Sequence, residues 1–80
     1  MSTAGHNQDP ARVRRRRVEA GLSQVSLARR VGVTKGHLSL VESGGRGASP
    51  ELLGRLANAL SCEIADLMPP LEREMAGSTA

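Results

Sequence analysis

Residues 23–43, SQVSLARRVGVTKGHLSLVES, decide the fold because they hold two short amphipathic segments separated by a glycine. Ser23 and Thr34 are good N-caps, since a side-chain hydroxyl can accept a hydrogen bond from a free amide of the first turn. Gly32 suits the end of the first helix, because a residue without a Cβ adopts the left-handed conformation without a clash. Apolar residues recur at helical spacing: Leu27, Ala28 and Val31, then Leu38 and Val41. The pattern predicts helices over residues 24–31 and 35–42, a pair suited to presenting the second helix to a DNA major groove.

Another helix is predicted before this pair. Pro10 fits the first turn of a helix over residues 10–20, with Asp9 as its N-cap. We expect this helix to bury Val13 and Val18.

Two more helices are predicted after the pair. The run Ser49-Pro50-Glu51 combines a cap, a proline at the first helical position and an acid favoured by the helix dipole. The apolar face of the helix that follows is formed by Leu52, Leu53, Leu56, Ala57 and Leu60. A short fifth helix over residues 63–68 ends at Pro69-Pro70. Because no segment alternates like a strand, the predicted fold class is all-α, a bundle of five helices.

Size and composition narrow the classes of function. Eighty residues make one small domain, and the absence of Phe, Tyr and Trp leaves its core to aliphatic side chains. Lack of aromatic rings argues against RNA or single-strand binders that stack bases on such rings. The single Cys62 excludes an internal disulfide and is expected to be a small core residue. With no membrane-length apolar run and no signal-peptide core, we expect a cytoplasmic protein that does not enter a membrane.

Charge is divided unequally along the chain. Residues 12–46 hold nine basic and two acidic residues, a net charge of +7. Residues 47–80 hold two basic and five acidic residues, a net charge of −3. A run of charges is often only a solvated face, but here the basic half coincides with the helix pair. That coincidence favours a surface that faces phosphates.

The helix pair resembles the helix-turn-helix of the Cro and phage-repressor (XRE) family. The residues at that motif's spacing are Gln24, Leu27, Ala28, Val31, Gly32, Val33, Leu38 and Val41, and Glu42-Ser43-Gly44 is similar to its usual ending. The similarity extends from Val13 to Met68. It implies a phage-repressor type of DNA-binding domain over residues 10–69, with its helix-turn-helix at 24–43. A disordered arm over 1–9 and a flexible tail or dimer contact over 70–80 would flank it.

The resemblance also implies which residues meet the bases. In this family the positions of Lys35, Gly36 and Leu40 reach base edges, helped by those of His37 and Ser39. Lys35 can donate to guanine O6 or N7, Ser39 can pair with several bases, and Leu40 can touch a thymine methyl group. Because Gly36 and Leu40 offer no polar group, specificity either rests on Lys35, His37, methyl contacts and DNA shape or is modest. Leu40 is alternatively an exposed leucine of no consequence or an anchor for a protein partner, and His37 a solvated flank residue.

A second set of residues is expected to contact phosphates or to brace the helices. The expected phosphate contacts are Gln24, Ser43, Arg46, Arg14 and Arg29. The resemblance implies that Gln24 bonds a phosphate and that Arg46 contacts the backbone from the glycine-rich loop. It also implies that Arg17 pairs with Glu42 to fix the third helix relative to the first.

Two hypotheses of function follow. The first is a sequence-specific, double-stranded DNA-binding transcriptional regulator of repressor type that acts as a homodimer. The alternative is an antitoxin or accessory module of the same fold that acts through a protein partner. An enzyme is not expected, because no catalytic constellation, phosphate loop, cofactor motif or metal-ligand cluster is visible in the sequence.

Overall fold

Four α-helices and one 3₁₀ helix make up residues 8–70, the part of the chain that the computed structural model describes. The α-helices are α1 (Pro10–Glu19), α2 (Gln24–Val31), α3 (Lys35–Ser43) and α4 (Pro50–Ala59), and the 3₁₀ helix is Ile64–Leu67. No β-strand occurs within this range, so the prediction of an all-α class is confirmed.

The fifth predicted helix differs from expectation. The segment after α4 contains a four-residue 3₁₀ helix where an α-helix over residues 63–68 was predicted. Only a few residues separate its start from two prolines, and a residue before proline is pushed toward the extended region. Met68, with φ −97° and ψ 158°, has that extended backbone. The extended backbone at Met68 therefore ends the segment after four residues, which is too short for a run of α-helical i→i+4 hydrogen bonds.

Each α-helix begins at a side chain that accepts a hydrogen bond from the first turn. The Oγ of Ser23 accepts from the Ser26 amide at 3.0 Å, and the Oγ1 of Thr34 accepts from the His37 amide at 3.0 Å. Asp9 and Ser49 cap α1 and α4 in the same way. These bonds satisfy amides that have no partner inside the helix.

The turn between α2 and α3 depends on Gly32. This residue has φ 77° and ψ 29°, the left-handed conformation that glycine adopts without steric cost. Its amide and that of Val33 return to carbonyls of α2. Helix α3 can therefore start in a new direction only a few residues after α2 ends.

The core lies where the helices meet. Helix α3 packs against α1 and α2, α4 packs against α2 and the 3₁₀ helix, and the 3₁₀ helix also contacts α1. The buried apolar residues are Val13, Leu27, Ala28, Val31, Leu38, Val41, Ala48, Leu52, Leu53, Leu56, Ala57, Leu60 and Leu67. All five residues predicted for the apolar face of α4 belong to this set.

Two expectations about the first part of the chain are wrong. Val18 is 57% exposed, although it was predicted to be buried. It follows Val13 by five residues, which places it about 140° around the helix and away from the core. Gln8 was predicted to lie in a disordered arm, but its side chain is buried among backbone groups of the domain. The remainder of that arm and the tail after Pro70 lie outside the described residues.

Cys62 lies half-buried against the core, as a small packing residue does. Burial raises the pKa of its thiol, so the fraction present as reactive thiolate is reduced at neutral pH. Among residues 8–70, no helix combines the length and the apolar character that crossing a membrane requires.

The packing predicts a large stability effect at the centre of α4. Leu56 is fully buried, so Leu56→Ala should lower the free energy of unfolding by about 2–5 kcal/mol. Urea denaturation followed by circular dichroism measures the change. Val25→Ala is the matched control, because Val25 lies exposed on α2 and its loss should change the value by no more than about 0.5 kcal/mol. Equal effects of the two substitutions would contradict this description of the core.

Candidate nucleic-acid interface

Helix α3 presents one face to the core and the opposite face to solvent. Leu38 and Val41 are fully buried, and the carboxylate-bearing Glu42 is buried beside them. The residues on the outer face are exposed: Lys35, Gly36, Ser39, Leu40 and Ser43. His37 is half-buried at the flank of this face. Four of the five predicted base-reading residues therefore lie on the exposed surface, with the fifth beside them.

Close approach to the start of α3 is possible at Gly36. A Cβ added there would meet only the Oγ1 of Thr34, at 4.0 Å. No side chain covers the backbone at Gly36, so a bound molecule could come closer to α3 here than at a position with a larger residue.

Leu40 lies toward the other end of the outer face. It is 46% exposed, and its side chain rests against the backbone of Gly45 in the following loop. A Cβ at Gly45 would lie 2.9 Å from the Cδ2 atom of Leu40, so the glycine is what allows this contact. The position of Leu40 thus depends partly on the position of the loop.

A buried ion pair holds α3 against α1. The Nε atom of Arg17 lies 2.7 Å from Oε2 of Glu42, and Nη2 donates to Oε1 at 3.1 Å. The two side chains are only 12% and 3% exposed. The third guanidinium nitrogen donates to the Leu22 carbonyl at 2.8 Å. This two-point geometry fixes the orientation of the carboxylate as well as its distance.

Gln24 is bound to the same carboxylate. Its Nε2 atom donates to Oε1 of Glu42 at 3.0 Å, so the first residue of α2 is joined to the end of α3. A primary amide carries two hydrogens. Gln24 can therefore hold Glu42 with one and offer the other to an anion at the start of α2.

Four of the five predicted phosphate-binding residues line two clefts beside α3. The first cleft, of about 340 Å³, is lined by Arg14, Arg17, Gln24, Ser39, Glu42 and Ser43. The second, of about 200 Å³, is lined by Val33, His37, Arg46, Gly47, Ser49, Glu51, Leu52 and Arg55. The structure thus brings Arg14, Gln24 and Ser43 together, and places Arg46 beside His37. Arg29 lines neither cleft and lies exposed near the end of α2.

Three other arginines of α1 bind groups that lie away from α3. Arg12 donates to the Met68 carbonyl at 2.9 Å, and Arg16 lies 3.5 Å from the carboxylate of Asp66, so both face the 3₁₀ helix segment. Arg15 pairs with Glu19 one turn along the same helix, at 3.1 Å. The basic run of the sequence is therefore spread around the helix and does not form a single surface.

Gln8 is a residue of this region whose role the sequence does not predict. It bonds the backbone at the end of α3 and in the loop that carries Arg46. No local pattern could have identified it, because a glutamine in a polar terminal segment has no periodicity and its partners are distant in the chain. Within residues 8–70, no three His, Cys, Asp or Glu side chains are grouped so that they could hold a metal ion.

The fold and this exposed helix define a class of protein. The chain matches the model of the helix-turn-helix family over residues 13–67. It belongs to that family, in the Cro and phage-repressor (XRE) type that the sequence resembles.

Solved structures show similar folds at appreciable sequence identity. The restriction-modification controller protein C.AhdI from Aeromonas hydrophila is 36% identical with a TM-score of 0.71, over 74% of this chain and 89% of that one. The clp gene regulator ClgR from C. glutamicum is 35% identical with a TM-score of 0.68, over 89% and 87% of the two chains. The P22 c2 repressor, solved with a synthetic operator, is 30% identical with a TM-score of 0.70, over 74% and 89%. Comparison with curated proteins gave no match.

The buried pair predicts a strong dependence of folding on Glu42. Glu42→Ala should lower the free energy of unfolding by about 3–5 kcal/mol, because it leaves the guanidinium of Arg17 buried without its counter-ion. The apolar double variant Arg17→Met/Glu42→Leu should be more stable than Glu42→Ala, since it leaves no charge buried. Thermal and urea denaturation of both variants measure the difference.

The control for this experiment is Glu19→Ala, which removes an exposed ion pair on α1. We expect it to change the free energy of unfolding by about 0.3–0.5 kcal/mol, as measured for solvated pairs along a helix. A Glu42→Ala protein as stable as Glu19→Ala would show that the buried pair does not hold α3.

Proposed function

We propose that this protein is a sequence-specific, double-stranded DNA-binding transcriptional regulator that inserts α3 into the major groove. One observation carries the proposal: the outer face of α3 is exposed along its length, while its inner face is fixed by the core and by Glu42. An α-helix fits the major groove of B-DNA, where each base pair offers a distinct pattern of donors and acceptors. The family and the operator complex of the similar P22 c2 repressor support this assignment.

We assign base reading to the exposed face of α3 and its flank. Lys35 would donate to a guanine, Ser39 would pair with a base edge, and Leu40 would meet a thymine methyl group. Gly36 would allow the duplex to approach the helix closely, and His37 would contact the edge of the site. With so few polar groups on this face, part of the specificity would come from DNA shape.

Phosphates on the two sides of the groove would be held by different residues. Arg14, Gln24 and Ser43 line the cleft between α1, α2 and α3, and they would meet one strand. Arg46 lies beyond the other flank of α3 and would meet the opposite strand, and Arg29 would add a further backbone contact. The first-turn amides of α2 would add to the first group, since helix N-termini favour anions.

We propose further that the protein acts as a homodimer and as a repressor. A single small module buries only about 600–1,000 Å² on DNA, which is little for tight specific binding. Two copies related by a two-fold axis would occupy half-sites about one helical turn, roughly 34 Å, apart. The surface around the 3₁₀ helix is suited to the contact, because Ile64 is 44% exposed there. We place the protein in the cytoplasm with its DNA, and assign it neither a cofactor nor a catalytic role.

A protein partner is a second candidate, because Leu40 is a large apolar residue exposed on α3. In that case the protein would be an antitoxin or accessory factor whose partner covers this leucine. Specific DNA binding by the purified protein alone, weakened by Leu40→Ala, would favour the regulator. Unchanged DNA binding by Leu40→Ala would favour the partner.

The proposed phosphate contacts predict a steep dependence of affinity on salt. The logarithm of the association constant should fall linearly with the logarithm of salt concentration, by about 0.9 for each phosphate neutralised. Arg46→Ala should reduce this slope by about 0.9 per protomer. Fluorescence anisotropy of a labelled duplex, titrated at several salt concentrations, gives both slopes.

Arg16→Ala is the charge-matched control for Arg46, because Arg16 lies beside Asp66 and not beside α3. We expect its slope to match that of the unmodified protein. A protein that shows no salt-dependent binding to any duplex would refute the proposed function. Identical slopes for Arg46→Ala and Arg16→Ala would remove Arg46 from the interface.

Base reading by Lys35 predicts a change in site preference. Selection from a random duplex pool should give a defined site for the unmodified protein, and Lys35→Ala should lose the preference for guanine at one position per half-site. The expected loss is about 1–3 kcal/mol of discrimination at that position. Stability should not fall, since Lys35 is exposed at the first position of α3, where the helix dipole disfavours a cation. The same selected sequence for both proteins would rule out Lys35 as a base reader.

A further inference from the structure

Gln8 precedes α1 and lies against the loop between α3 and α4, residues 44–49, here called the α3–α4 loop. The residue is 1% exposed, although glutamine is usually a surface residue. A polar group at such depth is stable only when its hydrogen bonds are satisfied. The partners of Gln8 therefore show what this residue does.

Within residues 8–70, the Gln8 side chain makes three hydrogen bonds, and all three go to backbone groups at or near the loop. Nε2 donates to the Val41 carbonyl at 3.1 Å and to the Arg46 carbonyl at 2.9 Å. Oε1 accepts from the Ala48 amide at 2.8 Å. The one side chain thus joins the last turn of α3, the middle of the loop and the residue before the cap of α4.

The direction of the amide is fixed by this arrangement. Rotating it by half a turn would place its oxygen against two carbonyl oxygens and its NH₂ group against an N–H donor. The backbone on which it stands is also held, because the Asp9 amide donates to the Leu67 carbonyl at 2.8 Å and Asp9 caps α1. Gln8 is therefore a rigid attachment and not a side chain that happens to reach the loop.

The glycine content of the α3–α4 loop explains why it needs such an attachment. Three of its six residues, Gly44, Gly45 and Gly47, are glycines, which lose more conformational freedom on ordering than any other residue. The amides of Gly44, Gly45 and Arg46 all point to the one carbonyl of Leu40, at 2.9–3.3 Å. Those bonds shape the start of the loop, whereas Gln8 holds its middle and its end.

We propose that Gln8 is a positioning residue for DNA binding, which acts by holding the α3–α4 loop so that Arg46 meets the phosphate backbone. The inference rests on the proposed function and adds to it a residue outside the helix-turn-helix. The side chain of Gln8 is buried behind the loop and does not itself touch DNA. Its effect on affinity passes through the backbone of Arg46, whose carbonyl it binds.

The test is a double-mutant cycle between Gln8 and Arg46 on the full chain. The variants Gln8→Leu, Arg46→Ala and the double variant are compared for binding to a fluorescein-labelled duplex of mixed sequence over a range of salt. Gln8→Leu should lower affinity several-fold and reduce the salt slope toward that of Arg46→Ala, by up to about 0.9 per protomer. In the Arg46→Ala background, Gln8→Leu should change neither the affinity nor the slope.

The variant Val13→Ala is the control that distinguishes the effect of Gln8→Leu on DNA binding from a general loss of stability. Val13 is fully buried on α1 and its side chain is apolar, so its truncation lowers the melting temperature without removing a hydrogen bond to the loop. All measurements are made well below the melting temperatures, and Val13→Ala should keep the original slope. If Gln8→Leu does not fold, Gln8→Met replaces it, since methionine has a similar shape, carries no charge and makes neither of the two donated bonds. It should give the same reduced slope.

The outcomes distinguish this inference from the proposed function. If the unmodified protein shows no salt-dependent binding, both fail. If it binds and the Gln8 variants keep the original slope, the inference alone is overturned. It is also overturned if Gln8→Leu weakens binding equally with and without Arg46, because Gln8 would then act by another route.

Discussion

The carboxylate of Glu42 is the point on which the arrangement of this domain depends. It receives hydrogen bonds from Arg17 of α1 and Gln24 of α2 while it stands on α3, so three helices meet at two oxygen atoms. A rotation of α3 by one residue, about 100°, would take Glu42 out of the pair and turn an outward residue toward the core. Apolar packing alone tolerates small rotations, whereas a two-point ion pair does not. The pair therefore acts together with the buried Leu38 and Val41 to determine which face of α3 is presented to solvent.

Burial of Glu42 also resolves an electrostatic difficulty. A carboxylate at the end of a helix that approaches DNA would repel the phosphates and reduce affinity. Here the charge is almost fully buried and is neutralised by Arg17, and the amide of Gln24 covers one of its oxygens. The cleft that leads to it is lined by Arg14 and Ser43. Glu42 can therefore orient α3 without presenting a negative charge to the proposed interface.

The sequence predicts the elements that are set by local hydrogen bonds. It does not predict features that depend on contacts between residues distant in the chain. Ser23, Thr34 and Gly32 set helix ends through bonds to residues within a few positions, so their signals are complete in the sequence. The exposed face of α3 follows from the burial of Leu38 and Val41. Gln8 could not be predicted, because its partners are 33, 38 and 40 residues away. The 3₁₀ helix could not be predicted, because apolar spacing does not distinguish four residues of 3₁₀ helix from a short α-helix.

The basic run of α1 shows why charge along a sequence is an incomplete guide to an interface. Residues 14–17 are four consecutive arginines, and steps of about 100° send them in four directions. Arg15 contacts Glu19, Arg16 contacts Asp66 and Arg17 contacts Glu42, whereas Arg14 lines the cleft beside α3. Each of these paired arginines lies next to an acidic residue, so the opposite charges largely cancel. Much of the run therefore adds little to the electrostatic potential at a distance. Of these four side chains, Arg14 is the one that we propose contacts a bound duplex. Arg16 and Arg17 instead join α1 to the 3₁₀ helix and to α3, and Arg15 forms an exposed pair within α1.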